Sequence, residues 1–72
     1  MINTMRLANR LKVARAECDL SQEALAKRAG VTRQTISSIE KGQYVPSALL
    51  AFVLAQQLGK RIDELFYLEE TT

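Results

Sequence analysis

The feature that most constrains the fold is residues 21–42, SQEALAKRAGVTRQTISSIEKG, which combine two helix-forming segments with one glycine between them. Ser21 and Thr32 each precede a segment of helical periodicity, and both side chains are good caps for a helix N-terminus. Gly30 supplies the positive φ angle that a sharp turn requires. The pattern predicts two short helices joined by a tight turn, at about residues 22–29 and 33–41. Such a pair is a helix-turn-helix unit.

The second of these helices is predicted to be amphipathic. At 100° per residue, Ile36 and Ile39 point one way. The polar positions point roughly the other way: Gln34, Ser37, Ser38 and Lys41. Glu40 falls beside the apolar stripe, so we expect its carboxylate to be partly buried and to need a cationic partner. Arg33, in the first turn at the edge of the outer face, is two turns away, so the partner must come from another segment.

Composition excludes several classes of protein. The 72 residues predict a single domain, and a domain this small is marginally stable alone, which oligomerisation commonly remedies. There is no His and only one Cys, so we expect no metal site, no cofactor and no enzymatic activity. The longest apolar run, residues 48–55, is too short to cross a bilayer, and residues 1–8 lack a signal-peptide core. We therefore expect a cytoplasmic protein without a membrane partner.

Charge is unevenly distributed along the chain, although the formal net charge is only +2. Residues 1–44 carry eight Lys and Arg against four Asp and Glu, whereas residues 45–72 carry two against four. The basic half contains the predicted helix-turn-helix, which suits a protein that docks one side on phosphates. Taken alone, the same distribution is more typical of ordinary scatter of surface charge.

The segment before residue 21 is predicted to contain one helix, from residue 9 or 10 to residue 18. Residues 1–8 form either a short extended arm, which we favour, or the start of that helix. Cys18 falls on the apolar stripe of the helix and is interpreted as a small buried residue, with a redox switch as the alternative. Asp19 then ends the helix, because Asp tolerates the left-handed backbone conformation.

The segment after residue 42 is predicted to contain two more helices. Ser47 caps a helix over residues 48–58 that is apolar on nearly all sides, as expected of the central buried helix of a domain. A short helix follows at residues 62–66. The tail, residues 66–72, is either extended, pairing with the N-terminal arm or with a second subunit, or frayed.

The outer face of the second helix carries side chains suited to DNA. In a helix-turn-helix the second helix lies in the major groove with its first residues at the base edges, here Arg33, Gln34 and Thr35. Arginine pairs with guanine and glutamine with adenine. Gln22, in the first turn of the preceding helix, is placed to bond a phosphate. An ordinary helical hairpin with a polar solvent face would satisfy the same periodicity.

Residues 20–47 resemble the Cro/phage-repressor helix-turn-helix family, also called the XRE family. The likeness rests on LSQEALA, on AGVTRQTISSIEKG with the YVPS loop that follows, and on the later IDELF. It covers roughly residues 9–68 and is strongest for compact members of the family. It implies an all-α, five-helix, lambda-repressor-like DNA-binding domain over residues 1–72, with an arm at 1–8 and a tail at 66–72. The two ends form a short two-stranded sheet in some compact relatives.

The resemblance also implies roles for individual residues. It matches Arg33, Gln34 and Ser38 to base-contacting positions. The residues expected to contact the DNA backbone or to support readout are Gln22, Thr35, Ser37, Lys41 and Tyr44. Arg15 matches an arginine of the first helix that pairs with the glutamate at Glu40, which supplies the cationic partner required above.

Three departures from the family pattern lead to further expectations. Asp19 stands where a glycine is usual, so we expect a strained turn between the first two helices. Arg61 stands where Ser or Thr often caps the fifth helix, so we expect that helix to be less regular. The extension at residues 1–8 is a few residues longer than usual, which makes pairing of an arm with residues 66–70 plausible.

The leading hypothesis is a sequence-specific transcriptional regulator, acting as a repressor, that binds a double-stranded DNA operator with two-fold symmetry as a homodimer. The expected dimer interface is formed by the fifth helix and the tail, at Ile62, Leu65, Phe66 and Leu68. Exposed parts of the fourth helix are expected to contribute to it. Some of these side chains must instead belong to the core. The alternative is an antitoxin-like or other protein-binding module. No small-molecule effector is expected, because the hydrophobic core takes up the whole domain and leaves no space for an effector site.

Overall fold

A computed structural model describes residues 4–71, in which five helices and one two-stranded antiparallel sheet follow one another along the chain. The elements are β1 (Met5–Asn9), α1 (Leu11–Glu17), α2 (Gln22–Ala29), α3 (Arg33–Glu40), α4 (Ala48–Gln57), α5 (Ile62–Leu65) and β2 (Phe66–Glu70). The predicted helical fold with a helix-turn-helix at the second and third helices is confirmed, and so is the sheet. Residues 1–3 of the predicted arm and residue 72 of the tail lie outside the described residues.

Three helices begin at the capping residues expected from the sequence. The hydroxyl oxygens of Ser21, Thr32 and Ser47 accept hydrogen bonds from the backbone N–H three residues later, at 3.0, 3.2 and 3.1 Å. Each bond satisfies one of the N–H groups that a helix N-terminus leaves without an intrahelical partner. Gly30 ends α2 with φ at +73°, the left-handed conformation that lets the chain turn sharply into α3.

The turn between α1 and α2 is strained, as its sequence predicted. Asp19 has φ at +54°, which is costly for a residue with a Cβ atom. Arg15 stabilises the turn, because its Nη1 donates a hydrogen bond to the carbonyl oxygen of Leu20 at 2.9 Å. The position at which the family usually has glycine therefore has the backbone conformation that glycine favours.

The N- and C-terminal ends pair through β1 and β2. The register places Leu7 opposite Leu68 and Asn9 opposite Phe66. Arg6 and Glu69 form an exposed ion pair across the strands at 2.7 Å. This pairing holds both ends of the chain against the helices, so the extended alternative for the arm and for the beginning of the tail is correct.

The core lies where the helices meet and contains side chains from every helix. Among the described residues, the largest fully buried side chains are Leu11, Leu25, Ile36, Ile39, Leu54 and Leu65. Ala26 is buried in α2, the helix that packs closely on α3. Ile36 and Ile39 are both on the inner face of α3, as its periodicity predicted. This packing fixes the direction in which the opposite face of α3 points.

The interpretation of the fourth helix as the central buried helix holds for one side only, and the other side provides the exposed parts that were expected at an interface. Leu49 and Phe52 are 76% and 59% exposed, whereas Leu54 on the opposite side of α4 is fully buried. The reason is that α4 packs mainly against α2 and α5, and Leu49 and Phe52 lie away from that contact. A uniformly apolar helix carries no periodicity to indicate which face is inside.

Two smaller expectations also require correction. Cys18 is exposed, although its Sγ reaches the carbonyl oxygen of Leu58 at 3.6 Å, because α1 ends before the residue can turn into the core. The fifth helix is a single turn that ends at Leu65. As expected, no hydroxyl caps it; instead the Glu64 carboxylate accepts a bond from the N–H of Arg61 at 2.7 Å. None of the helices in the described residues is long and apolar enough to cross a membrane.

Candidate nucleic-acid interface

The outer face of α3 is polar and accessible. Arg33 and Gln34 are exposed at its first turn, and Ser38, one turn further on, is half-buried. The cap at Thr32 keeps the first turn of α3 in helical geometry. The three residues predicted to contact bases therefore lie within about a turn and a half of one helix, beginning at the end that a helix-turn-helix presents to DNA.

Several of the predicted residues line one shallow cavity of about 420 Å³ beside α3. Its lining consists of Gln34, Thr35, Ser38, Gln43 and Tyr44. The aromatic ring of Tyr44, half exposed in the loop after α3, thus lies near the polar face of that helix. Gln43 was not among the predicted site residues. Its place in a short loop between two helices was the only sequence signal available.

Ser37 and Lys41 are not part of this cavity. Ser37 is half-buried on α3. Lys41, at the C-terminal end of that helix, instead lines a larger groove of about 820 Å³ beside the sheet. Val45 and Leu68 line the same groove, and both are exposed apolar side chains. Lys41 is thus accessible but lies between the polar face of α3 and an apolar surface.

The expected ion pair between Arg15 and Glu40 is present. Arg15 Nε lies 2.8 Å from Glu40 Oε2, and its Nη2 lies 3.3 Å from Oε1. The two side chains are 15% and 6% exposed, so the pair is largely removed from water. Removing one partner of such a pair strands the other charge, at a cost of about 3–5 kcal/mol. The pair fastens α1 to the C-terminal end of α3.

Gln22 has a role that the sequence did not reveal. Its Nε2 donates to Glu40 Oε1, and its Oε1 accepts from Arg33 Nη1, both at 3.0 Å. The helix-turn-helix spacing placed Gln22 near the DNA surface, but the bridge to Glu40 depends on how closely α2 approaches α3. Gln22 therefore connects the buried ion pair with the exposed arginine at the start of α3.

Asn9 is a second residue whose role sequence reasoning missed. Its Nδ2 donates to the carbonyl oxygen of Ile39 at 2.9 Å, and its Oδ1 accepts from the N–H of Leu11 at 3.0 Å. The side chain thus accepts from the N–H of the first residue of α1 and satisfies a carbonyl in the last turn of α3. A sequence signal existed, since an Asn just before a helix is a typical cap, but the contact with α3 is tertiary.

The predicted dimer-interface residues do not share one surface. Leu65 is fully buried and Phe66 is 7% exposed, so both belong to the core of the protomer and are not available to a partner. Ile62 is half-buried and packs against that core. Leu68, which lies on β2 two residues beyond the buried Phe66, is 65% exposed. Of the four, only Leu68 presents most of its side chain to solvent.

Some charged groups away from α3 make local pairs. The Glu17 carboxylate lies 3.0 Å from Lys60 Nζ and raises the pKa of that ammonium group by hydrogen bonding and by charge. Among residues 4–71, no group of three or more His, Cys, Asp or Glu side chains is arranged to hold a metal ion. The polar face of α3 is therefore the candidate site to which the geometry points.

Comparison with known proteins agrees with this geometry. A family model described as helix-turn-helix matches residues 11–65. The HTH-type transcriptional regulator YgzD of Bacillus subtilis is 45% identical over 64 residues, covering 89% of this chain and 97% of that protein. An HTH-type transcriptional regulator of Methanocaldococcus jannaschii is 50% identical over 64 residues, with the same coverage of each chain.

A solved structure supports the same assignment. The restriction-modification controller protein C.AhdI from Aeromonas hydrophila superposes with a TM-score of 0.73 at 34% identity, over 76% of this chain and 80% of that one. The family match spans all five helices, and the sequence likeness extends beyond the helix-turn-helix itself. The chain therefore belongs to the XRE-type helix-turn-helix family.

Proposed function

We propose that this protein is a sequence-specific, DNA-binding transcriptional regulator that acts as a repressor. The observation that carries the proposal is the polar, exposed first turn of α3, which is held rigidly from beneath by the core and by Glu40. Arg33 would pair with a guanine and Gln34 with an adenine at the edges of the major groove. The relatives that are named transcriptional regulators support the same function.

Phosphate contacts would supply most of the remaining affinity. The candidates are Gln22, whose amide keeps one free N–H, Lys41 at the end of α3, and Tyr44 beside it. Ser37 and Thr35 would support readout from the same helix. Contacts of this kind release counterions from DNA, so affinity should fall linearly with the logarithm of salt concentration. Such a protein would act where the chromosome is, which leads us to expect the cytoplasm.

A two-fold operator requires two copies of the recognition helix, so we propose a homodimer. The surface we assign to it, called the apolar face here, consists of Val45, Leu49, Phe52 and Leu68. All four side chains are at least 59% exposed. Leu49 and Phe52 lie about one turn apart on α4, while Val45 and Leu68 line one groove. Of the four residues named from the sequence this surface retains only Leu68, and it also retains the expected exposed part of the fourth helix, here Leu49 and Phe52.

The size of the molecule is compatible with such an interface. A standard interface removes about 800 Å² from each partner, roughly a sixth of the 4999 Å² surface of this chain. Exposed apolar side chains at its centre would supply the fully desolvated contacts that dominate association. A second copy also solves the stability problem of a small core.

A protein-binding module of the antitoxin type is the second candidate, and the same apolar face is what favours it. A toxin or other protein would then cover Val45, Leu49, Phe52 and Leu68 in place of a second copy. The two candidates differ in solution. The repressor is a dimer when purified alone. The binding module is a monomer when purified alone and forms a complex only with its partner protein.

Selection of bound DNA from a random pool tests the proposed function directly. A repressor of this kind should enrich a palindrome whose half-sites are about one helical turn apart. No enrichment from a folded protein would contradict DNA readout. A reporter gene downstream of the selected palindrome then tests the direction of regulation, because a repressor lowers its expression and an activator raises it.

A further inference from the structure

The side chains of Glu40, Gln22 and Arg33 form a chain of hydrogen bonds that runs from the buried ion pair to the exposed start of α3. Each of the two links measures 3.0 Å between heavy atoms. Glu40 is only 6% exposed and is also held by Arg15, whereas Arg33 is exposed. The chain thus joins a carboxylate that lies beneath the surface to a guanidinium that faces outward.

The chemistry of the three groups determines how the middle one is oriented. An ionised carboxylate only accepts hydrogen bonds, and a guanidinium only donates them. A glutamine amide does both, but at opposite ends. Gln22 can satisfy both neighbours in one orientation only, with its NH₂ toward Glu40 and its oxygen toward Arg33. The hydrogen bond to Glu40 therefore holds the NH₂ of Gln22 on one side and leaves its oxygen facing the recognition helix.

We propose that Glu40 is a positioning residue for base readout: by orienting the amide of Gln22, it holds the guanidinium of Arg33 in place for its base pair. The inference rests on the proposed function. Gln22 occupies one N–H of Arg33 Nη1, and the remaining donors of the guanidinium stay available for the two acceptors of a guanine. Glu40 itself touches no base.

Preorganisation is the source of the expected effect. A long arginine side chain loses rotamer freedom when it is fixed on DNA, and a chain that fixes it beforehand reduces that loss. The loss avoided corresponds to roughly a two- to tenfold change in discrimination at the base pair that Arg33 reads. If Gln22 served only as a phosphate contact, its removal would weaken binding to all sequences alike.

The experiment first identifies the base pair read by Arg33 as the one whose preference is lost in Arg33→Ala. Discrimination at that pair, the ratio of affinities for the selected and the changed operator, is then measured for Gln22→Met and for Arg15→Met/Glu40→Met. The double variant replaces a buried ion pair by apolar side chains, which small domains often tolerate. Each should lower discrimination roughly two- to tenfold per half-site, and combining all three substitutions should lower it no further than Gln22→Met alone.

Unchanged discrimination in Gln22→Met, or an equal loss of affinity for every sequence, would overturn the proposal. So would a combined effect equal to the product of the separate ones. Gln57→Met is the matched control, because Gln57 is also half-buried but lies on α4. If the unmodified protein enriches no DNA, the proposed function itself fails, and that result is distinct from a preserved operator with unchanged discrimination in the variants.

A measurement without DNA tests the chain of hydrogen bonds itself. In NMR spectra the side-chain amide protons of Gln22 should exchange slowly with solvent, and those of Gln57 serve as the reference within the same molecule. Glu40→Gln keeps a polar partner for Arg15 but replaces the charged acceptor of the Gln22 N–H by a neutral amide, which weakens that hydrogen bond, so it should accelerate that exchange severalfold. Fast exchange in the unmodified protein, or no change in the variant, would contradict the positioning role.

Discussion

The polar face of α3 and the apolar face around α4 are both accessible, and they are built in opposite ways. Behind the face of α3 lies a half-buried polar network in which Arg15 of α1 and Gln22 of α2 bind Glu40 of α3. Leu49 and Phe52 on α4 have no such support and simply project into solvent. The first surface is polar and supported by hydrogen bonds, and the second is uncovered and apolar.

The difference indicates a division of roles. A surface that recognises DNA bases binds them more tightly when its side chains are already held in place, because less conformational entropy is lost on binding. A surface that associates with a second copy gains mainly from apolar area. If this comparison is right, substitutions beneath α3 should damage folding, substitutions on the apolar face should damage association, and substitutions on the outer face of α3 should damage readout alone.

The largest expected effect is on stability. Arg15→Ala should lower the free energy of unfolding by about 3–5 kcal/mol, because it leaves the nearly buried carboxylate of Glu40 without its cation. Denaturant unfolding followed by circular dichroism measures this. Arg6→Ala, which breaks the exposed pair with Glu69, is the control and should cost at most about 1 kcal/mol. Equal stability of the two variants would show that the Arg15–Glu40 pair does not hold α3.

The next effect is on association. Phe52→Glu should weaken the proposed dimer by at least about 2 kcal/mol, because a charge would enter the centre of an apolar interface, and the protomer should remain folded. Sedimentation equilibrium gives the dissociation constant. Val13→Glu changes a residue of similar exposure, 57% against 59%, on α1 instead of the apolar face. A variant of Phe52 that dimerises as tightly as the parent would remove this face from the proposal.

The effect on readout should be somewhat smaller. Arg33→Ala should cost about 1–3 kcal/mol of discrimination per half-site, the value of one bidentate contact with a base, and should leave the melting temperature nearly unchanged. Competition binding with the selected operator and with single-base variants measures it. Lys27→Ala, an exposed cation on α2, is the comparison for loss of charge alone. An unaltered footprint and affinity for Arg33→Ala would contradict the assignment of the outer face.

The smallest effect concerns the turn that leads into α2. Asp19→Gly should raise stability by about 0.5–1 kcal/mol, because glycine adopts the observed φ of +54° without a Cβ clash. Thermal unfolding is sensitive enough, since each kcal/mol shifts the melting temperature of a domain this size by about 4–8 °C. The reverse change, Gly59→Asp at φ +66°, should cost a similar amount. A less stable Asp19→Gly variant would mean that the aspartate makes a contact that outweighs the strain.

Much of the helix-turn-helix was predictable because its signals are local. Ser21 and Thr32 cap the helices that were predicted to begin after them. Ile36 and Ile39 are buried on the side of α3 that a period of 3.6 residues indicates. The need of Glu40 for a cation also followed from its place on that helix, although the identity of Arg15 came from the family resemblance. The roles of Arg33, Gln34 and Ser38 on DNA remain predictions.

What failed was prediction from segments without an informative pattern. The fourth helix was interpreted as the central buried helix with some exposed parts, but its uniform apolar pattern did not indicate which residues those are. They include Leu49 and Phe52, because the choice of the inner face depends on which neighbours cover it. Leu65 and Phe66 were expected at a dimer interface. Both are buried in the core, because β2 pairs with β1 directly after α5. Cys18 lies on a helical stripe, yet α1 ends before that stripe can bury it.

The sequence by itself determined the order of the helices, their caps, the turn at Gly30 and the two faces of α3, because each depends on residues within a few positions of one another. The tertiary structure alone decided that Gln22 bridges Glu40 and Arg33, that Asn9 reaches the end of α3, and which face of α4 stays uncovered. These contacts join residues many positions apart, and their geometry is set by packing between helices that no local pattern encodes.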